Sequence, residues 1–237
     1  MVDKFPDDFM KQFNNHLRGS NEDIANQFAW LVNFLNLNLK PKNRVLDLGG
    51  GDGFLLSQLT VPDLEKILVD HNSNYAVNLD SSTRIENISI SDFFKSSSNI
   101  TTGFDAIILS HVIEHFTPIE VFNILSNCVR FLSLNGLVII VTPNANNLSV
   151  SANHFWLDPT HIRPYPSLLI KFLLNFFNLE IIEENYDTPF WDQTNPENHN
   201  LDIRILQTLF GNQNYTCVGK KKTNHPFLDY NFYKLSK

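Results

Sequence analysis

Residues 44–56 have the sequence RVLDLGGGDGFLL, and this stretch decides the fold. It begins with a short apolar run that carries one acid near its end, which is typical of a buried parallel strand. The glycine cluster allows the backbone to turn sharply into a helix at the carboxyl end of that strand. A strand, a glycine-rich turn and a helix in this order predict a nucleotide site, although such a turn can also serve only to tighten the connection.

The spacing of the glycines distinguishes two kinds of nucleotide site. A dinucleotide fingerprint needs the pattern G-x-G-x-x-G, and here Phe54 occupies the third glycine position. The chain instead has D-x-G-x-G-x-G, formed by Asp47, Gly49, Gly51 and Gly53. This pattern resembles motif I of the class I S-adenosylmethionine methyltransferases. The resemblance implies that the methionine part of the cofactor lies against bare glycine backbone, and that the acid helps to fix its ammonium group.

The second and third predicted strands add acids to the same site. Residues 66–70 (KILVD) form the second strand, which ends in Asp70. A carboxylate at this tip can accept hydrogen bonds from both hydroxyls of a ribose, and His71 follows as a further lining residue. Asp92 and Phe93 come after the third strand, where the methyltransferase resemblance implies contact with the adenine. An aspartate that caps the next helical turn is the alternative.

A polar cluster follows the fourth predicted strand. Residues 104–110 (FDAIILS) form this strand, and residues 111–115 (HVIEH) come directly after it. Open α/β sheets bind their ligands at the carboxyl ends of the strands. We therefore assign Ser110 to the cofactor pocket and expect His111 and His115 at the functional edge.

Asn135 and Gly136 predict a turn that leads into the fifth strand, residues 137–142. A long connection follows this strand. It contains residues 155–164 (FWLDPTHIRP), with two prolines and several aromatic or charged groups. A connection of this length is more often a substrate lid than a simple linker. Asp158, His161 and Arg163 are therefore candidates to contact the substrate.

The alternation of strands and helices predicts an α/β fold. The methyltransferase resemblance implies a doubly wound, Rossmann-like sheet of seven mostly parallel strands, with one antiparallel edge strand near the end. Apolar residues recur at helical spacing before the first strand. We therefore expect an N-terminal helical extension over residues 1–40 and the methyltransferase domain over residues 41–237, with a loop lid after strand five.

Several further motifs sharpen the resemblance. They are residues 17–22 (LRGSNE), the glycine motif, the HVIEH cluster, residues 142–147 (TPNANN) and residues 155–161 with Pro164 and Pro166. Together they resemble the methyltransferase domain of bacterial O-antigen chain-terminating enzymes and their relatives in polysaccharide biosynthesis, over roughly residues 9 to 185. This implies S-adenosylmethionine as cofactor, a sugar or sugar phosphate as acceptor, and a place for Arg18 at the cofactor. The chain departs from that family at Gly50, Asp52 and Phe54, where the family usually has Cys, Arg and Glu.

The chemistry of methyl transfer assigns roles to the polar groups. The reaction is an in-line displacement, so the enzyme must position the acceptor and exclude water. A sugar hydroxyl must also lose its proton, which calls for a histidine base, whereas a phosphate needs only a cation to hold it. We predict His115 or His161 as the base, with His111 as a further candidate. Asp158 would orient a histidine and Arg163 would hold the acceptor; the alternative is that Asp158 and His161 only pin the loop.

A metal site is a rival interpretation of the same cluster. His111, Glu114, His115 and His161 have side chains that can bind a divalent ion and polarise an acceptor hydroxyl. The small-RNA terminal 2′-O-methyltransferases have a similar E-x-x-E-H cluster with a distant histidine, but here the first glutamate is a histidine. We therefore expect no metal, and metal-assisted transfer to a nucleotide, RNA or natural-product hydroxyl is the alternative.

A second rival interpretation is that the chain is a non-catalytic scaffold, because fold alone does not determine function. The intact acids and glycines of the predicted cofactor site, together with the histidines, favour an enzyme. Calorimetric titration with S-adenosylmethionine distinguishes the two.

Composition limits the partners. The net charge of −7 and pI near 5.5 argue against a nucleic-acid binder that works by bulk electrostatics, so we expect no DNA partner. Cys128 and Cys217 are too few and too far apart for a disulfide framework, so we expect two buried free thiols. No segment resembles a secretion signal or a membrane span. We expect a cytoplasmic protein with a small-molecule or saccharide acceptor, either as a monomer or as a homodimer.

Overall fold

The computed structural model describes residues 21–71, 79–80, 82–97, 103–189 and 202–223. Its helices are α1 (Asn21–Asn38), α2 (Phe54–Ser57), α3 (Ile90–Ser96), α4 (Pro118–Phe131), α5 (Leu148–Ala152), α6 (Ser167–Phe176) and α7 (Ile203–Phe210). Its strands are β1 (Arg44–Leu48), β2 (Glu65–Val69), β3 (Arg84–Glu86), β4 (Phe104–Ser110), β5 (Leu132–Pro143), β6 (Leu179–Pro189) and β7 (Asn212–Lys221). Two 3-10 helices, Ile113–His115 and His154–Leu157, follow β4 and α5.

The strands form one seven-stranded sheet with the order β3-β2-β1-β4-β5-β7-β6. The pairs from β3 to β5 are parallel, and β7 is antiparallel to both of its neighbours. The predicted fold class is therefore confirmed. The position predicted for the antiparallel strand was wrong. This strand, β7, lies inside the sheet between β5 and β6, and β6 forms the edge. Backbone pairing on both sides explains why the middle of β7, residues 214–219, is buried.

Both faces of the sheet are covered by helices. On one face α4 and α6 pack against strand residues such as Leu46, Ile107 and Ile140. On the other face α1 and α2 pack against the alternate residues, including Val45 and Ile108. This alternation is the period of two that a strand imposes on its side chains. The part of the predicted N-terminal extension that the structure describes is thus a helix on the second face of the sheet.

Some element boundaries differ from the sequence-based expectation. The predicted turn at Asn135 and Gly136 lies inside β5, which begins directly after α4 at Leu132. Asn135 has a φ of 65°, and the pairing between β4 and β5 shifts register between Phe104 and Ala106. The left-handed residue thus bends the strand without ending it.

A capping box stands at the start of helix α4. Thr117 and Glu120 form a capping box, in which the Thr117 amide donates to Glu120 Oε2 over 2.8 Å. This cap fixes the point at which the chain leaves the HVIEH segment, residues 111–115.

Two further observations concern the chain as a whole. Cys128 and Cys217 are buried free thiols, as the sequence predicts. Within the described ranges, no helix has both the length and the apolar character that crossing a membrane requires.

Candidate active site

The glycine turn after β1 adopts a backbone that other residues rarely reach. Gly49, Gly51 and Gly53 have φ values of 73°, 56° and 77°, in the left-handed region that glycine enters without steric cost. A Cβ on Gly49 would lie 2.6 Å from Val112 Cγ2, whereas one on Gly51 would meet nothing within 4 Å. The turn is therefore packed on one side against the HVIEH segment and open at Gly51.

Asp70 links the glycine turn to the second strand. It follows β2, and its Oδ2 accepts a hydrogen bond of 3.0 Å from the Gly51 amide. The Gly49 amide donates to the Val69 carbonyl over 2.7 Å. His71 is mostly exposed, with its Nδ1 3.6 Å from Asp70 Oδ1. The structure thus brings the turn, Asp70 and His71 together, as the sequence predicts.

Asp47 is a buried carboxyl beneath this turn. Its residue is 1% exposed, and its Oδ1 has no hydrogen-bond partner among the described residues. Burial, reinforced by the charges of Asp70 and Asp52, raises the pKa of Asp47 to about 7. The free protein thus holds an uncompensated acid at this position, which is suited to a cationic group of a ligand.

The third pair of predicted cofactor residues lies on helix α3. Asp92 is exposed, and its carboxylate accepts from Ser89 Oγ (2.8 Å) and Lys95 Nζ (3.1 Å). The hydrogen bonds from Ser89 and Lys95 lower the pKa of Asp92. Phe93 is 2% exposed and packs in the core, because the helix turns its ring inward. The helix cap is Ser89, so Asp92 lies in the first turn and the ring of Phe93 is not displayed at the surface.

The end of β4 carries a buried hydroxyl and a strained histidine. Ser110 Oγ is buried without a hydrogen-bond partner in the described part of the chain. His111 has a φ of 54°, which is uncommon for a residue with a side chain. Its Nε2 lies 2.7 Å from Gln27 Nε2 on α1, and an amide NH₂ can only donate. His111 therefore accepts at Nε2 and carries its hydrogen on Nδ1.

Glu114 is the buried centre of the HVIEH segment. Its side chain is fully buried, and Oε2 accepts from Thr142 Oγ1 over 3.1 Å. His111 Nδ1 lies 3.3 Å from Oε1, but the geometry falls short of a hydrogen bond, so Oε1 has no hydrogen-bond partner among described residues. Burial alone would raise the pKa of Glu114, yet His111 and His115 together lower it. The carboxylate is therefore charged.

A hydrogen-bond chain orients His115. The Thr160 hydroxyl donates to Asp158 Oδ1 over 2.6 Å, and Thr160 Oγ1 lies 2.8 Å from His115 Nδ1. Since the hydroxyl has only one hydrogen, it must accept from His115 Nδ1–H. The lone pair of His115 is thereby left on Nε2. Burial lowers the pKa of His115, opposed mainly by the charge of Glu114, so the ring is neutral near pH 7.

His161 is held in a similar way by the backbone. Its Nδ1 donates to the Phe155 carbonyl over 2.6 Å, so the lone pair of the neutral ring is on Nε2, which lies 4.0 Å from Asp158 Oδ2. Its ring lies 4.7 Å from the ring of His115 and 4.4 Å from that of Phe155. Glu114, His115 and His161 each place a ligand-type atom within 4.8 Å of the others. His161 both pins the loop and faces the cluster.

The loop after His161 is attached to the same segment. The amide of Ile162 donates to the Glu114 carbonyl over 2.8 Å. The guanidinium of Arg163 lies 5.1 Å from the ring centre of Tyr165, whose hydroxyl donates to the Phe116 carbonyl over 2.8 Å. Arg163 is half-buried and near the cluster, whereas Arg18 lies outside the described residues.

Thr160 and Gln27 are two site residues that the sequence analysis missed. Thr160 lies between Asp158 and His161, so its position in that motif was the available signal. Gln27 lies on α1, 84 positions from His111 in the sequence, and no local pattern marks such a contact.

The comparisons with known proteins agree with this architecture. A family model described as a methyltransferase domain matches residues 20–184. No curated protein matches the chain. A structure of an S-adenosylmethionine-dependent methyltransferase from Archaeoglobus fulgidus is 23% identical, with a TM-score of 0.71, over 90% of this chain and 100% of that one.

Two further similar structures come from enzymes with different acceptor atoms. The N-methyltransferase NodS from Bradyrhizobium japonicum, in complex with S-adenosyl-L-homocysteine, is 13% identical (TM-score 0.54; 81% of this chain and 85% of that one). An O-methyltransferase family protein from Burkholderia thailandensis is 16% identical (TM-score 0.58; 84% and 57%). The fold is therefore common to both kinds of acceptor, and the choice between them has to be argued from the site.

Proposed function

Because the chain belongs to the methyltransferase domain family and its cofactor is S-adenosylmethionine, we propose that it methylates an oxygen of a saccharide acceptor. The acceptor class comprises a sugar, a sugar phosphate or a related precursor of saccharide biosynthesis. The observation that carries the proposal is the hydrogen-bond chain from Asp158 through Thr160 to His115. A hydroxyl acceptor needs a neutral, oriented base, and His115 has the form of one.

The residues at the glycine turn fit the cofactor. The space open above Gly51 leaves room for a ligand against backbone, and Asp70 lies beside it as a ribose acceptor. Asp47, whose buried Oδ1 has no hydrogen-bond partner in the described part of the chain, suits the ammonium group. When bound, S-adenosylmethionine supplies an electrophilic methyl group on a sulfonium. Ser110, whose buried hydroxyl has no hydrogen-bond partner among the described residues, completes the proposed cofactor set with Gly49 and Gly53.

On the acceptor side, His115 acts as the general base. An acceptor hydroxyl donates its hydrogen to Nε2, and the ring takes the proton as the oxygen attacks. The resulting imidazolium is stabilised by the charged Glu114 next to it and by Asp158 through Thr160. His161 holds the acceptor through its own Nε2. Both ring nitrogens of His111 face Gln27 and Glu114, so His111 is not assigned as the base.

The aromatic residues beside Glu114, His115 and His161 support a saccharide as the acceptor. Trp156 is 55% exposed, and its Nε1–H donates to the Ser151 carbonyl over 3.0 Å, so the indole is fixed in place. Its ring packs at 5.1 Å on Phe155, which contacts His161. A fixed, exposed indole offers apolar area at low entropic cost, which suits the apolar face of a sugar ring. Arg163 suits a phosphate on the same acceptor.

A labelled-methyl assay with a panel of nucleotide-sugars tests the proposal, with mass spectrometry to locate the new methyl group. Thr160→Val and Thr160→Ser form a matched pair, because valine removes only the hydroxyl and serine keeps it. We expect Thr160→Val to lower kcat by roughly 10- to 100-fold, Thr160→Ser to remain near the unmodified protein, and both to bind the cofactor normally. Methylation confined to nitrogen acceptors, or full activity of Thr160→Val, would contradict the proposal.

A further inference from the structure

The buried carboxylate of Glu114 lacks a complete set of partners. Oε2 accepts from Thr142, but Oε1 has no hydrogen-bond partner among the described residues, and the side chain is inaccessible to solvent. Buried charges in proteins are normally paired or bound to a metal ion. His111 Nδ1 lies 3.3 Å from Oε1 without the geometry of a hydrogen bond, and the other ring nitrogen of His111 faces Gln27. Oε1 therefore has coordination capacity to spare.

The two neighbouring imidazoles are arranged as metal-binding histidines are. A ligating histidine almost always donates its other ring N–H to a carboxylate, a backbone carbonyl or water, which fixes the ring and its tautomer. His161 donates from Nδ1 to the Phe155 carbonyl, and His115 donates from Nδ1 to Thr160, which in turn is bound to Asp158. Both rings therefore keep the Nε2 lone pair, and both are already held by the outer partners that a metal site needs.

The spacing and the ligand types select the kind of ion. The ligand-type atoms of Glu114, His115 and His161 lie within 4.8 Å of one another. Bonds of about 2.1 Å to a tetrahedral zinc ion place its ligands about 3.4 Å apart, so closure needs side-chain shifts of roughly an ångström. Two imidazoles and one carboxylate suit zinc and its transition-metal neighbours rather than magnesium or calcium, which prefer oxygen ligands. Three protein ligands leave a fourth position open.

We infer that Glu114, His115 and His161 bind one divalent transition-metal ion of the zinc type. The expectation from the sequence was no metal, with these three residues and His111 as the alternative set of ligands. His111 is outside the inferred site because both of its nitrogens face other groups. A second consequence rests on the proposed function. The ion occupies the Nε2 lone pairs of His115 and His161 that would bind the acceptor hydroxyl, so zinc inhibits methyl transfer in competition with the acceptor.

Titration of the metal-free full chain with ZnCl₂, against a chromophoric chelator and without cofactor or acceptor, tests the inference. We expect one ion per chain for the unmodified protein and at least about tenfold weaker binding for His161→Ala. His154→Ala is the matched control, because His154 lies in the same segment outside the cluster, and it should bind as the unmodified protein does. Binding that is absent, or equal in the unmodified protein and His161→Ala, overturns the inference.

Cobalt absorption spectra give a second readout that needs no variant, which matters because Glu114→Gln alters a fully buried group. Co²⁺ in the inferred site should show the intense visible bands of a low-coordinate ion, and a spectrum equal to that of aqueous Co²⁺ overturns the inference. The metal titration and the spectra do not depend on catalysis, so failure to find a saccharide substrate leaves them intact. A zinc-bound protein that methylates faster than the metal-free one overturns the inhibitory consequence alone.

Discussion

Replacing Asp47 with asparagine should make the folded protein more stable at pH 8, although it alters a predicted cofactor residue. Burial raises the pKa of this carboxyl from 3.8 to about 7. A raised pKa means that the acid stabilises the fold fully below pH 4, and that this contribution is lost as the pH rises through 7. A shift of about 3 units corresponds to about 4 kcal/mol at 1.36 kcal/mol per unit. Asparagine has a similar shape and no charge, so it should avoid that loss.

Urea unfolding of both proteins from pH 4 to pH 8 measures the effect. The difference in the free energy of unfolding between variant and unmodified protein isolates Asp47, because all other titrating groups are common to both. It should grow by about 4 kcal/mol between pH 4 and pH 8. Asp202→Asn is the control, since Arg204 lowers the pKa of that exposed carboxyl, so its contribution changes below pH 4 and its difference should stay nearly constant from pH 4 to pH 8. A difference that stays constant with pH would refute the account of Asp47.

The same variant should separate stability from cofactor binding. If the carboxylate of Asp47 receives the ammonium group of the cofactor, Asp47→Asn should bind S-adenosylmethionine more weakly while unfolding at a higher urea concentration at pH 8. Higher stability together with weaker ligand binding is common for a variant that removes an unfavourable charge from a binding site. Calorimetric titration with S-adenosylmethionine gives the affinity, and equal affinity in the two proteins would remove Asp47 from the proposed cofactor set.

Three further outcomes follow from the described geometry. Gly49→Ala should destabilise the fold by about 1–3 kcal/mol and abolish the thermal shift with S-adenosylmethionine, because its φ is 73° and a Cβ would lie 2.6 Å from Val112; a normal melting curve would contradict this. Trp156→Ala should raise the acceptor KM several-fold and leave kcat unchanged in steady-state kinetics. Leu168→Ala is the control, because this residue is 75% exposed on α6, and it should change neither constant. Glu120→Ala should cost about 1 kcal/mol through loss of the capping box, measured by urea unfolding, with the cofactor affinity unchanged.

The sequence predicted the sheet well because its strands and turns carry local signals. Strand β4 matched its predicted bounds. The left-handed backbone of the turn after β1 was predictable because glycine occupies the positions that adopt it. The inserted position of β7 was not predictable in this way, because strand order depends on pairing between segments far apart in the sequence. The apolar run of β5 indicated a strand, but Asn135 and Gly136 resembled a turn, and only pairing with β4 shows that they bend the strand.

The candidate site was predictable in its residue types and less so in its connections. The histidines after β4 and in the loop were identifiable, since imidazoles at a strand end mark a functional edge. Which nitrogen of each ring is free depends on Thr160 and on the Phe155 carbonyl, and no sequence pattern specifies a tautomer. Residue type also failed to predict exposure at one pair. Asp92 lies at the surface and Phe93 in the core, although the two are adjacent in the sequence and were both predicted to contact the cofactor.

The position of β7 has a consequence for synthesis on the ribosome. Strand β6 reaches the sheet only through β7, which pairs with it on one side and with β5 on the other. Residues 179–189 therefore leave the exit tunnel before their sole neighbour among the described strands exists, and they must wait unpaired until residues 212–221 emerge. A nascent chain stalled at the point where residues up to 200 have left the tunnel should therefore expose β6 to proteases while strands β1 to β5 are already protected.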